Sequence, residues 1–326
     1  MTDGEALGAP NPSVTYVVPP GSERLLNNVR FYEAFGSSFF FHKLRSLEVA
    51  LTPAGIEAAV SGDAESGTPE GRAAFARDIR AEIHFTAIHN IETVIYLMLS
   101  VYSRGVPMVI YMNLAKDVKQ SVQDLKEEKF SKLSKQSTTD KRFFYRQCLL
   151  TGLEETLPVI SQVLSDSIDM LETCVNIYVI GLEAYNAYKH GLRMDMGAFA
   201  LDVAEPGDNA AVWNELLSSA DSSQYLVKKR TGNDPSVPND HKIFLLEDHL
   251  FQPETSAALI RILRVVMRNI VNTRLDVLHK RDLSRLAGFQ QADLDLVRET
   301  RQQIMLLSWD SEGPLTDITS SVNPQR

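Results

Sequence analysis

One helical segment carries an unusual set of polar side chains within an apolar pattern. Glu183, Asn186 and His190 are separated by three and four residues, so a helix places all three along one face. Polar groups are costly in a core unless they are paired. These three are therefore expected to hydrogen-bond to neighbouring helices or to line a cleft. A carboxylate and an imidazole are also groups that general acid–base chemistry uses.

A second polar set is predicted to face the first across a groove between two helices. Glu82 and His89 share a helix face at seven-residue spacing, and Glu92 lies about 60° away on the same helix. Combined with Glu183 and His190, the set has the oxygen and nitrogen groups of an acid–base site or of a metal-dependent helical enzyme. The alternative is a buried hydrogen-bond network between the two helices, which we favour because buried polar groups normally pair.

The run Tyr185-Asn186-Ala187-Tyr188-Lys189-His190-Gly191 resembles the signature of the HEPN superfamily of all-helical nucleotide- and RNA-associated domains. In that signature an Arg is followed by a polar residue, three further residues and a His, often with Gly next. Asn186, His190 and Gly191 match these places, whereas Tyr185 stands where the family has Arg.

The resemblance implies an RNA- or nucleotide-binding protein that is a weak or inactive, metal-independent ribonuclease of a prokaryotic defence or stress system. His190 would then be the acid–base group, with Asn186 orienting it and Glu183 beside them. Lys189 or Arg193 would contact phosphate in place of the missing Arg. Neither a cofactor nor a metal is expected, and whether the protein is an enzyme at all stays open.

Arg274 and His279 form a second, looser match to the same signature, with Leu275 at the polar place. Residues five apart lie about 140° apart on a helix, so a neighbouring helix or chain must bring them to one phosphate. Family members typically achieve this by dimerising, which implies a homodimer or a partner protein. The structural alternative is a basic helix end, since Lys280 and Arg281 follow and such clusters interact with solvent or the helix dipole.

The end of the 154–190 segment has its own structural alternative. Cations favour the negative end of a helix dipole and Gly forms left-handed caps, so Lys189, His190 and Gly191 are also typical of an ordinary helix C-terminus. Glu183 and Asn186 would then be hydrogen-bonding residues of the interior. The protein would be a non-catalytic helical scaffold or protein-interaction module.

The charge pattern limits contact with nucleic acid. Arg261, Arg264 and Arg268 form a stripe that could follow a phosphate backbone, although the solvent face of an amphipathic helix looks the same. With 33 basic and 42 acidic residues the net charge is −9, which opposes uniform attraction to phosphate. Any RNA contact must be local, and no DNA sequence readout is expected.

The elements that must position these residues are mostly helices. A period of 3.6 residues predicts helices over 71–104, 109–130, 154–190, 253–280 and 292–307, with 154–190 at the centre of the core. Strands are predicted over 198–203, 224–229 and 242–247. The predicted fold class is mainly α, a multi-helix bundle with a small antiparallel β insertion at about 195–250.

Composition sets the remaining expectations for the 326-residue chain. We predict a disordered arm over 1–22, a packing segment over 23–70, a helical domain over 71–307 and a flexible tail over 308–326. Glycine-rich nucleotide-binding motifs, Gly-x-Ser-x-Gly and His-Glu-x-x-His are absent. Cys148 and Cys174 lie in apolar patterns without zinc-site or disulfide spacing, and no leader or membrane segment is evident, which predicts a reducing, cytoplasmic location.

Overall fold

A computed structural model describes residues 26–63, 65–102, 118–134, 138–189, 194–197, 221–230, 242–283 and 285–310. Over these residues the chain is mainly helical, which confirms the predicted helical class. The helices are α1 (Leu26–Ala34), α2 (Phe39–Ala50), α3 (Pro53–Val60), α4 (Pro69–Leu99), α5 (Val118–Lys126), α6 (Phe130–Ser134), α7 (Lys141–Leu150), α8 (Pro158–Lys189), α9 (Pro253–Leu278) and α10 (Gln291–Asp310). A 3₁₀ turn, Ser100–Tyr102, extends α4.

Helix α4 lies at the centre of the hydrophobic core, in place of the 154–190 helix that the sequence favours. From Ala81 to Leu99 its side chains are buried on most sides, and it packs against α2, α3, α8 and α9. Phe40 and Leu44 of α2 belong to the same core, so the N-terminal helices pack directly on it. Helix α8 is open to solvent in its C-terminal half, at Asn176, Ile180, Glu183 and Asn186. No helix in the described part of the chain is long and apolar enough to cross a membrane.

Helix boundaries follow local capping signals. Thr68 caps α4, since its Oγ1 accepts a hydrogen bond from the Gly71 amide at 3.0 Å. Helix α8 begins at Pro158, where proline is tolerated in a first turn, and not at residue 154. Thr151 ends the preceding helix in the left-handed region, with φ of 53°. That helix, α7, falls in a stretch for which the periodicity predicts no element.

The predicted helix over 109–130 is only partly described. Residues 103–117 lie outside the described part, and the remainder divides into α5 and α6 around Glu128, which has a φ of 55°. A residue in the left-handed region interrupts α-helical hydrogen bonding, and this explains the break. The predicted helices over 71–104, 253–280 and 292–307 correspond to α4, α9 and α10.

Three extended segments lie between α8 and α9. They are β1 (Met194–Gly197), β2 (Asp221–Arg230) and β3 (Lys242–Phe251), paired antiparallel in the order β1-β2-β3. The predicted strands over 224–229 and 242–247 fall within β2 and β3, whereas 198–203 lies outside the described residues. Because 198–220 and 231–241 are also outside, an insertion spanning 195–250 stays a prediction.

Candidate functional site

Glu183 and Asn186 lie on the outer side of α8, away from its buried residues. The Glu183 side chain is 56% exposed, and its Oε1 is 3.7 Å from Lys119 Nζ. Asn186 is also exposed. Neither residue has the buried, paired environment that the sequence predicts, so the cost of burying them does not arise. His190, Gly191 and Arg193 lie outside the described residues.

Lys189 turns toward the opposite side of α8, where it contacts α4. Its Nζ donates a hydrogen bond to Glu92 Oε2 at 3.1 Å and lies 4.1 Å from the centroid of the Tyr185 ring. The ammonium group is therefore balanced by a carboxylate and held over an aromatic face. The predicted phosphate contact of Lys189 would have to compete with both interactions.

The groove between α4 and α8 holds the second predicted set, and we call Glu82, His89, Glu92, Tyr185, Tyr188 and Lys189 the α4–α8 interface. Tyr185 donates a hydrogen bond to Glu92 Oε2 at 3.2 Å, and Tyr188 donates to Glu82. Burial, reinforced by these carboxylates, raises the pKa of both tyrosines well above the ordinary value. The two phenols therefore stay protonated and act as donors at physiological pH.

The carboxylates of this interface are also balanced by cations. Lys43 of α2 forms an ion pair with Glu82, with an Nζ–Oε1 distance of 2.5 Å, and Lys189 forms one with Glu92. Each carboxylate thus has one ammonium and one phenol as partners. Charged groups paired in this way form a neutral network, in which neither carboxylate is left free to act as a base.

His89 lies between α2 and α8 at the solvent edge of the interface. Its ring packs edge-on to Phe40 at a centroid distance of 5.1 Å and tilts against Tyr185 at 6.3 Å. Burial against these rings lowers the pKa of His89; the Glu92 carboxylate opposes the shift, and the ammonium groups of Lys189 and Lys43 add to it. The imidazole is accordingly biased toward its neutral form near pH 7, while part of the residue stays open to solvent.

The metal hypothesis finds no geometric basis in the residues that are described. No group of three or more His, Cys, Asp or Glu side chains among them could hold a metal ion. Glu183 lies on the far side of α8 from Glu82, His89 and Glu92. The contacts of Glu82 and Glu92 are those of an interhelical hydrogen-bond network, which is the alternative that the sequence favours.

Arg274 is 4% exposed and lies within the core. Its guanidinium donates hydrogen bonds to Tyr32, Ser100, and the carbonyl oxygens of Met98 and Cys148. These contacts account for the residue structurally, since they join α1, the end of α4, α7 and α9.

His279 follows α9 at its C-terminal end, and its Nε2 is 3.3 Å from Glu33 Oε1. This contact with α1 places the imidazole at the helix end, as the structural alternative predicts.

The predicted arginine stripe of α9 is largely occupied by other helices. Arg261 donates from Nε to Asp293 Oδ1 at 2.8 Å, and Arg264 donates from Nε to Ser38 Oγ at 3.1 Å. Arg268 is exposed. Among the described residues Arg261 is paired with carboxylates, whereas Arg264 binds a neutral hydroxyl and Arg268 is exposed, so contact of the stripe with a phosphate backbone stays a prediction.

The tyrosines of the α4–α8 interface were not predicted from the sequence. A helical projection contains their signal, because Tyr185, Tyr188 and Lys189 share a face at three- and four-residue spacing, and that face points away from Glu183. No protein-family model, curated protein or solved structure matches the chain. The resemblance to the HEPN superfamily therefore rests on residues 185–191 and on the looser match at Arg274 and His279.

Proposed function

We propose that this protein is a non-catalytic helical interaction module, and that the outer face of α8 binds a basic segment of a partner protein. The outer face comprises Asp166, Asp169, Glu172, Asn176, Ile180, Glu183 and Asn186. The observation that carries the proposal is the exposed pair Ile180 and Glu183, with 57% of Ile180 and 56% of the Glu183 side chain open to solvent. An apolar contact beside a carboxylate suits an amphipathic, positively charged ligand.

The charge distribution along α8 supports a basic partner. The helix has four carboxylates and a single basic residue, Lys189, whose ammonium group is already paired with Glu92 of α4. The carboxylates already attract cations from other helices: Arg298 Nη2 is 2.9 Å from Asp166 Oδ1, and Arg298 Nε is 2.9 Å from Asp169 Oδ2. Toward the C-terminal end only Lys119 approaches, at 3.7 Å, among the described residues. That end is where an external cation would find an incompletely paired carboxylate.

The chain as a whole reinforces this preference. Its net charge of −9 attracts basic proteins and repels the phosphates of RNA. The polar groups proposed for chemistry do not converge either, since Lys189 is paired with Glu92 while the Asn186 side chain is exposed to solvent. Both features support binding over catalysis.

The proposal is tested by fluorescence anisotropy with a labelled lysine–leucine amphipathic peptide and its glutamate–leucine counterpart, at about 0.15 M salt. We expect the basic peptide alone to bind, and Ile180→Asp or Glu183→Lys to weaken binding about tenfold, a loss of about 1.4 kcal/mol. Val49→Asp and Glu70→Lys change an exposed apolar and an exposed acidic residue elsewhere and serve as matched controls. Equal effects of control and test variants would refute the assignment of this face.

The HEPN-like ribonuclease hypothesis remains a prediction, and one experiment separates it from the interaction module. Labelled transfer RNAs and structured RNAs are incubated with purified protein, with and without chelator, beside a His190→Ala variant. We expect no cleavage by either protein. Cleavage that disappears in His190→Ala would overturn the non-catalytic proposal. If the chelator also abolishes this cleavage, the chemistry is metal-assisted.

We also propose that residues 195–250 form one small antiparallel β insertion between α8 and α9. The support is the register: Tyr225 of β2 pairs with Met194 on one side and with Glu247 on the other. Amide hydrogen exchange measured by mass spectrometry should show protection of β2 and β3 together. Rapid exchange over both strands would contradict the proposal. A cytoplasmic location and a homodimer likewise stay predictions.

A further inference from the structure

A cavity of about 160 Å³ lies between the α5–α6 connection and helices α7 and α8. Its apolar wall is formed by Leu125 and Val175, and its polar groups come from all of these elements. Cavities of about 150 Å³ can accept a benzene-sized guest. The space is therefore large enough for a small organic molecule, and its lining decides which class of molecule fits.

The α5–α6 connection brings a carboxylate to this cavity at a conformational cost. Glu128 has a φ of 55°, a left-handed conformation that side chains other than Gly, Asn and Asp rarely adopt. The turn is closed by a hydrogen bond from the Lys129 amide to the Asp124 carbonyl at 2.8 Å. Strained residues of this kind cluster at ligand sites, and Glu128 lines this cavity.

Two carboxylates of the cavity share a single lysine. Lys141 Nζ is 3.1 Å from Glu128 Oε1 and also contacts a carboxylate oxygen of Glu172. One positive charge between two negative charges leaves this side of the cavity with a net negative charge. Lys126 lines the cavity too, and none of the described residues forms an ion pair with it. The cavity thus has an anionic side and a separate ammonium group, with no net charge in total.

Tyr145 provides a buried donor in the same place. The residue is 2% exposed and lines the cavity, and its hydroxyl makes no hydrogen bond to any described residue. Burial raises the pKa of Tyr145, and the nearby Glu172 and Glu128 carboxylates add to the shift. The phenol therefore remains protonated and can donate a hydrogen bond to a molecule in the cavity.

We propose that this cavity binds a small zwitterion of the α-amino acid class. The ligand ammonium binds Glu172 and Glu128 beside Lys141, and its carboxylate binds Lys126 with a hydrogen bond from the Tyr145 hydroxyl. Leu125 and Val175 contact a short apolar side chain. A ligand with separated charges and zero net charge matches the cavity, whereas an amine alone leaves Lys126 unpaired and a carboxylic acid alone leaves the anionic side unpaired.

The test is titration of the full chain by isothermal calorimetry and ligand-observed NMR with L-alanine, ethylamine and propionate as probes. We expect L-alanine to bind with a dissociation constant of about 1 mM, the range open to so small a ligand. The two single-charge probes should bind about tenfold more weakly or not at all. Absence of L-alanine binding, or equal binding of ethylamine, would overturn the proposal.

Variants locate the binding in this cavity. Glu172→Gln and Tyr145→Phe remove one charge and one hydroxyl at nearly constant volume, and each should weaken L-alanine binding about tenfold. Glu70→Gln, an exposed carboxylate at the start of α4, is the matched control and should leave binding unchanged. Lys126→Met changes an exposed side chain, so it keeps the test decisive if a core variant fails to fold. L-alanine binding that all three cavity variants leave unchanged would place the ligand elsewhere and refute the assignment.

Discussion

Replacing Arg274 by Met tests whether the second HEPN-like match is a structural element of the core. The guanidinium Nη1 donates to Tyr32 Oη at 2.6 Å and to Ser100 Oγ at 2.7 Å. Its Nη2 donates to the carbonyl oxygen of Met98 at 3.0 Å and to that of Cys148 at 3.3 Å. A methionine fills similar space and makes none of these hydrogen bonds.

The expected loss follows from the hydrogen bonds that the substitution removes. The two hydroxyls can adjust, because Ser100 Oγ already donates to the Leu97 carbonyl at 2.7 Å and lies 3.5 Å from Tyr32 Oη. The Met98 and Cys148 carbonyls each lose a hydrogen bond from a charged donor, which contributes about 1.5–3 kcal/mol, although the Met98 carbonyl keeps the one that it accepts from the Ser100 amide. Removing a buried cation returns part of this sum, since its own desolvation is relieved. We therefore expect Arg274→Met to lower the free energy of unfolding by about 3 kcal/mol.

The assay is urea unfolding followed by circular dichroism, with Arg268→Met as the matched control on the same helix. Arg268 is exposed, so its substitution should change stability by less than about 0.5 kcal/mol. Tyr32→Phe removes one acceptor and is expected to cost about 1 kcal/mol, which keeps the test useful if Arg274→Met does not fold. A loss below about 1 kcal/mol for Arg274→Met would refute the structural role. Lost RNA binding at full stability would instead support the predicted phosphate contact.

Three further predictions concern the helical domain. Folding lowers the pKa of His89, so the unfolded chain takes up a proton at higher pH than the folded chain, and the protein loses stability as the pH falls. His89→Gln should therefore reduce the decrease in melting temperature between about pH 8 and pH 5. An unchanged decrease would contradict a role of His89. Arg142 donates to Glu155 at 2.8 and 3.0 Å, and this contact lowers the pKa of Glu155. In urea unfolding near neutral pH, Arg142→Met should lower the free energy of unfolding by about 1 kcal/mol, after allowance for solvent screening. This difference in stability from the unmodified chain should shrink as Glu155 is protonated in acid. A difference that stays constant with pH would argue against the ion pair. At Gly55 an added Cβ would collide with backbone atoms of α2, so Gly55→Ala should lower the free energy of unfolding by about 1–3 kcal/mol, measured by thermal unfolding. The Cβ added by Gly36→Ala meets open space, so this control variant should be nearly neutral. Equal effects of the two variants would refute the predicted collision.

The helices with long apolar periodicity could be predicted from the sequence. The expected segments 71–104 and 253–280 correspond closely to α4 and α9, because a 3.6-residue period and local capping residues act within a few turns of chain. Helix α7 escaped prediction. It is only ten residues long and is bounded by the Asp140 cap and the left-handed Thr151, signals that are short and shared with turns.

The candidate site could be predicted only in part. Glu82 and Glu92 were expected to form a network across a groove, and their contacts to Tyr188 and Tyr185 have that character. The sequence favoured the wrong face of α8 for the partners. Periodicity groups Glu183 with Asn186, but it contains no information on which helix face another element will cover.

The sequence by itself therefore determined the helical class, the acidic charge and the faces into which each helix divides its side chains, because these depend on neighbours within about two turns. Only the tertiary structure decided which faces are buried. It turns Tyr185 toward α4 and leaves Glu183 in solvent, and it draws Arg274 into the core, where carbonyl oxygens from two other helices need a donor. These outcomes depend on contacts between residues distant in the chain, whose free energies come from burial and hydrogen bonding between elements.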